Sequence, residues 1–305
     1  MKQDILNIIK ATNLSTCVYV ITNNPNGYQI NKLELHEDAV SDIQQNIIEA
    51  VNTKYFSNEV EYLDISQIAS EKKNVIYTLE DYKEIEGLDF VTFNDNINNP
   101  YQIAYGDFVA FMIKISNGEN NIYCYQNIFP ASLIKRNGKV PLIRSGNTFS
   151  QTKNNIFVVE KRVDFIIYEQ ELYVQNWKML QSKYSFNDYI IKSADRTIER
   201  VKETGLLDDM SKLIEENKKI TISKQLMKAT NSPIFNVPKD VIIKNAQTCP
   251  TYKKLFNNEG CIVVNTIEKV KIFIKLLNDD ILISPLTNQE YSVTSKKETE
   301  FIEEE

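Results

Sequence analysis

Histidine is nearly absent: His36 is the only one in 305 residues. Nucleophilic triads and imidazole-rich metal sites would therefore hang on one side chain. His36 stands beside Glu37 and Asp38 at the start of an apolar-periodic stretch and reads as a helix entry. Cysteine is scattered as Cys17, Cys124, Cys249 and Cys261 with no Cys-x-x-Cys pair, a pattern of packed, reduced, cytosolic thiols. The eight glycines are isolated; with no Gly-x-Gly and no Gly-Lys-Ser/Thr, the backbone offers no phosphate cradle and nucleotide hydrolysis of the usual kind is excluded. No apolar run approaches the ~18 residues of a membrane span. The longest, Phe108 to Ile113, fits a buried strand, and Met1-Lys2-Gln3-Asp4 lacks a signal-peptide layout. The expectation is a soluble, cytoplasmic protein that uses no cofactor and no metal and has no recognisable catalytic motif.

What is present is a large apolar inventory. Hydrophobic residues make up 42% of the chain, with 16 Tyr and 14 Phe, enough to bury one large core or two ordinary ones. Charge is unevenly spread. Residues 1–100 hold 7 Lys/Arg against 16 Asp/Glu, and residues 101–297 hold 28 against 20. Five Glu and no base follow in residues 298–305. Basic regions attract phosphate and acidic ones repel it; uneven solvation is the plainer reading of the same pattern.

The hydrophobic pattern predicts a mixed α/β (α+β) fold. A helix over 1–11, strands at Cys17–Ile21 and Tyr28–Leu35, a helix at Asp38–Val51 and strands at Glu61–Ile65 and Asn74–Leu79 make a small α/β domain, 1–96. The polar, turn-rich Asn94–Pro100, where charge changes sign, predicts the boundary, with Ser145–Asn155 as a rival. The larger domain, 97–305, is expected to hold a mostly antiparallel sheet and a helical C-terminal part, with 298–305 as an acidic tail. Its strands are expected at Phe108–Ile115 and Asn121–Ile128, with a hairpin of Val163–Tyr168 and Glu171–Val174. Helices follow at about 177–184, 187–204, 206–217 and 223–230, with Gly205 as a cap. Val241–Phe256 is helical in pieces, and Cys261–Val264 reads as a strand. Asn265 reads as the cap of helix 266–277, boxed by Glu268, before a closing hairpin around Pro285–Asn288.

Few residues suggest chemistry. A metal-dependent nuclease needs paired carboxylates, often with a lysine. Glu71-Lys72-Lys73, seven residues after Asp64, has that spacing, as many surface loops do. Asp164, inside an apolar strand, needs a partner if buried. Lys161 and Arg162 adjoin it, so it is either a paired structural acid or a metal ligand or catalytic acid. The bases form three sets. Lys135, Arg136, Lys139 and Arg144 cluster in a loop region. Lys192, Arg196 and Arg200 line one helix face, with Asp188 in pairing register with Lys192. Lys271 and Lys275 share the 266–277 helix. Each set is a solvated face or a phosphate-contacting one.

Two stretches together carry a family pattern. One is Phe157-Val158-Val159-Glu160-Lys161-Arg162-Val163-Asp164-Phe165-Ile166-Ile167-Tyr168, continuing through Leu172-Tyr173-Val174-Gln175-Asn176. The other runs from Leu276-Leu277-Asn278-Asp279-Asp280-Ile281 through Ser284-Pro285-Leu286-Thr287-Asn288-Gln289-Glu290-Tyr291 to Lys296. Both resemble the KwaB family of the Kiwa anti-phage defence system, once filed as a domain of unknown function. The resemblance covers roughly residues 100–297; the N-terminal region matches in size and position alone. It implies an effector that binds phage DNA and hinders its replication or expression beside a membrane-embedded sensor protein. It also places the chain at the inner membrane through that partner. Asp164 is the one residue the motif carries over, without a defined role. Met179-Leu180-Gln181 stands where the family pattern suggests an aromatic–Glu pair. The expected working form is a homo-oligomer, a dimer. A metal-dependent nuclease around Asp164 and a non-enzymatic interaction module are the competing readings.

Overall fold

The structure, a computed structural model, describes residues 2–24, 27–70, 74–88, 108–129, 133–134, 142–145, 148–151 and 156–293. Chain segments cluster into two compact units. Unit 1 comprises residues 1–63 and 74–185, and unit 2 comprises residues 64–73 and 186–305.

Unit 1 is built on one eight-stranded sheet. Its strands are β1 (Ser15–Asn24), β2 (Gly27–Lys32), β3 (Glu61–Asp64), β4 (Val75–Leu79), β5 (Phe108–Ser116), β6 (Asn121–Asn127), β11 (Phe165–Tyr168) and β12 (Glu171–Val174). Their order is β2-β1-β5-β6-β11-β12-β4-β3. The pairs β1–β2, β1–β5, β5–β6, β6–β11, β11–β12 and β12–β4 are antiparallel. Shorter strands β7 (Leu133–Ile134), β8 (Leu142–Ser145), β9 (Thr148–Gln151) and β10 (Ile156–Phe157) pair as β7–β10 and β8–β9 outside this sheet.

Alternation decides which side chains face which layer. Val18 and Val20, Phe111 and Ile113, Ile122 and Cys124, and Ile166 share a core with helices α1 (Lys2–Ile9) and α2 (Glu37–Tyr55). The intervening Tyr19, Ile21, Met112, Tyr125 and Phe165 are buried too. Burial on both faces explains why the central strands read as continuous apolar runs. On this second side the Tyr184 hydroxyl donates to that of Tyr125 at 2.7 Å, just after α3 (Trp177–Lys183). The β11–β12 turn holds Glu169 at φ +54°, in the left-handed region.

The expected division into 1–96 and 97–305 is therefore corrected. Residues of β1 pair in register with residues of β5, from Ser15↔Ser116 to Thr22↔Phe108. A strand buried on both faces needs hydrogen-bonded neighbours on both edges, and β5 supplies one. The turn-rich, charge-changing stretch belongs to a connection inside one unit. It lies outside the described residues, as does most of the rival at 145–155. Counted by unit, charge is nearly level: 15 Lys/Arg against 20 Asp/Glu in unit 1, and 20 against 21 in unit 2.

Unit 2 is helical. It contains α4 (Phe186–Thr204), α5 (Ser211–Glu216), α6 (Ile220–Lys228), α7 (Lys239–Thr248), α8 (Pro250–Lys253), α9 (Ile267–Leu277) and a hairpin of β13 (Ile281–Ile283) and β14 (Glu290–Ser292). Ala194, Ile198 and Val201 of α4 join Leu226, Phe273 and Leu277 in its core. The 3-10 turn Ile65–Ser70 packs on α6. Gly205 ends α4 at φ +62°, as its position predicts. Two local expectations fail. Thr266 caps α9 in place of Asn265, its hydroxyl accepting from the Lys269 amide at 3.3 Å, so Glu268 falls one position short of a box. Cys261–Val264 forms only an isolated bridge, Phe256↔Ile262, among the described residues.

Candidate functional site

Asp164 sits at the entry to β11, 8% exposed. Its carboxylate is fully engaged. Arg162 Nη1 donates to both oxygens, and the Asn127 amide donates to Oδ2 at 2.7 Å. The guanidinium is gripped in turn: Nη2 donates to the Asn127 carbonyl at 2.7 Å, Nε to Glu160 at 3.0 Å, and the plane lies 4.7 Å from the Phe129 ring centre. Burial works against the Arg162 charge, but Asp164 and Glu160 outweigh it and hold the guanidinium above its ordinary pKa. Gln126 closes the network. Its amide nitrogen donates to the carbonyls of Glu160 and Arg162, each at 2.6 Å, and its oxygen accepts from the Glu160 amide at 2.9 Å. Lys161, the other sequence neighbour, instead pairs with Glu49 on α2 at 2.6 Å.

The chemistry available here is structural. An ion placed at Asp164 would have to displace Arg162 from a nearly dry site. Tyr55, also buried, donates to the Val163 carbonyl at 3.3 Å, and its hydroxyl is pushed well up by burial, with the Asp164 charge adding to it. Burial raises the Cys124 thiol to about 12, which keeps it protonated at neutral pH. Among the described residues, no three His, Cys, Asp or Glu side chains converge as metal ligands. Asp64 accepts the Ser66 amide at 2.8 Å, while Glu71, Lys72 and Lys73 lie outside the described residues.

The second family stretch is likewise spent on closure of unit 2. Asn278 at the end of α9 donates to the Gln225 carbonyl at 3.0 Å, and Asp280 pairs with Lys228 at 2.9 Å. Glu290 on β14 reaches α8, accepting from the Thr251 amide at 2.9 Å, its hydroxyl at 2.7 Å, and the Cys249 thiol at 2.9 Å. Those bonds, Cys249 foremost, hold Glu290 below its ordinary pKa. At Met179-Leu180-Gln181, the first two side chains are buried on α3 and Gln181 is half-buried.

Lys192 and Arg196 are exposed on α4, one turn apart, and Arg196 Nη2 donates to the Ser193 hydroxyl at 3.3 Å; Lys271 is exposed on α9. Asp188 forms no ion pair with Lys192 among the described residues. Arg200 is spoken for: Nη1 donates to the Thr230 carbonyl and the guanidinium lies 4.3 Å from the Phe235 ring centre. Lys275 is half-buried and reaches Ser292 of β14 at 3.4 Å. The expectation that Arg200 faces freely outward is thus corrected, since the segment after α6 folds back over the last turns of α4. Lys135, Arg136 and Lys139 lie outside the described residues, and only the backbone of Arg144, in β8, is described. Sequence reading missed Gln126 and Glu160. Gln126, polar within an apolar strand, was the available signal.

No helix among the described residues is long and apolar enough to cross a membrane. No solved structure matches the chain. Over 310 aligned residues it is 22% identical to the Kiwa protein KwaB of Escherichia coli O55:H7 (strain RM12579 / EPEC), covering 97% of both chains. The model of the Kiwa protein KwaB-like family matches residues 106–287, which takes in the Asp164 network and all of α4 to β13 and ends before Glu290. The chain belongs to the Kiwa protein KwaB-like family.

Proposed function

We propose that this chain is a component of a Kiwa anti-phage defence system that binds phage DNA through its phosphates. Binding of this kind blocks replication or expression without reading sequence. The observation that carries the reading is the exposed pair Lys192 and Arg196 on α4, turned away from the buried stripe Ala194, Ile198 and Val201. Lys271 adds an exposed base on α9, and α4 and α9 both pack on α6. Phosphate recognition needs only such accessible cations and no catalytic group. Two duplexes of equal length and unrelated sequence are expected to shift in a gel at the same protein concentration at low salt. They should emerge intact after incubation with Mg²⁺. Cleaved DNA would favour the nuclease reading, and no shift for either duplex the interaction-module reading.

The same proposal includes a membrane-embedded sensor as partner and a dimeric working form. Unit 1 presents exposed carboxylates Glu37, Asp38 and Asp42 at the start of α2. Cytoplasmic loops of membrane proteins are rich in Lys and Arg, so opposite potentials would steer the two together. Deletion of residues 1–96 is no test, because it removes four of the eight sheet strands. Reversing Glu37, Asp38 and Asp42 to Lys is expected to lower co-purification with the membrane partner and leave DNA binding unchanged, with a small loss of stability because bases at the start of α2 oppose its dipole. Undiminished co-purification would place docking elsewhere. Light scattering should report twice the 35.3 kDa chain mass; a mass of one chain would contradict the dimer.

A further inference from the structure

Unit 2 carries an apolar groove of about 410 Å³ at its surface, lined by Ile234, Val237, Ile242, Leu276, Leu282 and Ile283 among others. The hydroxyls and the thiol in its lining are already engaged. Thr248 donates to the Asn245 carbonyl at 2.7 Å, Tyr252 to the Lys275 carbonyl at 3.1 Å, and Cys249 to Glu290 at 2.9 Å. What the groove offers an occupant is therefore mostly apolar contact.

The hairpin that forms one wall also carries a knob. Leu282 and Ile283 of β13 line the groove, and Leu286, three residues on, is 94% exposed. That spacing reaches at most about 10 Å. The turn that presents Leu286 is well bonded. The Ser284 amide donates to the Gln289 carbonyl at 3.0 Å, the Asn288 amide donates to the Ser284 carbonyl at 2.9 Å, and Asn288 stands at φ +55°. Ser284 to Gln289 includes no charged residue, so the turn can enter an apolar site without burying a charge. With so much of its surface open, Leu286 does not fill the groove of its own chain.

The patch around it is large. Val237, Leu282, Ile283 and Tyr291 are each between 37% and 48% exposed, and Tyr291 stands opposite Leu282 across the hairpin. With Leu286 they leave roughly 500 Å² of apolar surface open at ~200 Å² per whole residue, near the top of what a monomer shows. Two such patches face to face bury about 1,000 Å², the least that a specific interface needs.

We infer that two copies of this chain pair through this face, with Leu286 of each seated in the groove of the other. The inference rests on the dimeric form proposed above and names its surface. Knob and groove share one hairpin, so a single two-fold axis satisfies both contacts at once. The two leucines form the desolvated centre, with Val237 and Tyr291 around them.

Light scattering over a dilution series compares the full chain with Leu286→Ser. The replaced side chain touches almost nothing in its own chain, so melting should not change. The dimer dissociation constant is expected to rise by about 30-fold or more, as for a central anchor. A parent of single-chain mass at every concentration would overturn both the interface and the dimer. A dimeric parent with an unchanged constant in Leu286→Ser would overturn this interface alone and leave the dimer standing on another surface. Photo-crosslinking from Leu286→benzoylphenylalanine, in a mixture of light and isotope-labelled chains, gives a second readout. Mixed-mass links to Ile234, Val237, Ile242 or Leu276 are expected, with a yield that rises with concentration. Links within one chain would overturn the proposal and make the hairpin the cover of its own groove. Links that miss the groove altogether would overturn it as well.

Discussion

Replacing Arg162 by Met is expected to destabilise the protein by about 3–5 kcal/mol, because it strands Asp164 as a buried, unpaired carboxylate. Asp164 is 8% exposed, and its other donor is a single backbone amide from Asn127. The loss is aggravated on the far side: Glu160 and the Asn127 carbonyl also lose the guanidinium. Asp164→Asn is expected to be milder, since Arg162 keeps Glu160 and its partial exposure to water. The double variant Arg162→Met, Asp164→Leu should recover part of the Arg162→Met loss, since no buried charge then lacks a partner. Urea melts of the four proteins measure this directly. A loss under about 1 kcal/mol for Arg162→Met would show that the pair is not formed in solution. The same series tests the nuclease reading: a catalytic Asp164 would yield an inactive Asp164→Asn protein of unchanged stability.

The second large effect belongs to α4. Reversing Lys192 and Arg196 together to Glu is expected to weaken DNA binding at 0.1 M salt by about 50-fold or more. Each lost phosphate contact forfeits roughly 1.2 kcal/mol of counterion release at that ionic strength. Both side chains are exposed on a helix whose other face fills the core, and Arg196 gives up its bond to the Ser193 hydroxyl, so melting should fall slightly at most. Arg200 must stay intact in this test. Its guanidinium ties the end of α4 to Thr230 and Phe235, and Arg200→Glu would confuse lost binding with lost packing. Affinity within threefold of the parent would move the DNA surface to other residues, including those outside the described set.

Local periodicity made most elements legible. α2, β5, β6, the β11–β12 hairpin, α4 and α9 fall where apolar spacing places them, because each presents a stripe or an alternation that only one element type can bury. The domain division was not legible. Asn94–Pro100 has the composition of a linker, but pairing of β1 with β5 is a long-range fact that no local pattern encodes. The same limit applied to Arg200. A fourfold spacing predicts a helix face, whereas the 3-10 turn at Pro233–Asn236, which brings Phe235 onto that face, lies about 35 residues away. Asp164 was readable as an acid in need of a partner, and Arg162 as a neighbour able to serve. Gln126 stood out as a polar residue in an apolar strand, but its reach from β6 to the backbone on either side of Lys161 is a long-range pairing that no local pattern encodes.

The central claim is that DNA is held by its phosphates. It is tested most directly by titrating the chain with a duplex across a range of salt concentrations. If about four phosphates are contacted, log affinity should fall against log salt with a slope near −3.6. A slope near zero, or no binding at the lowest salt, would contradict the account.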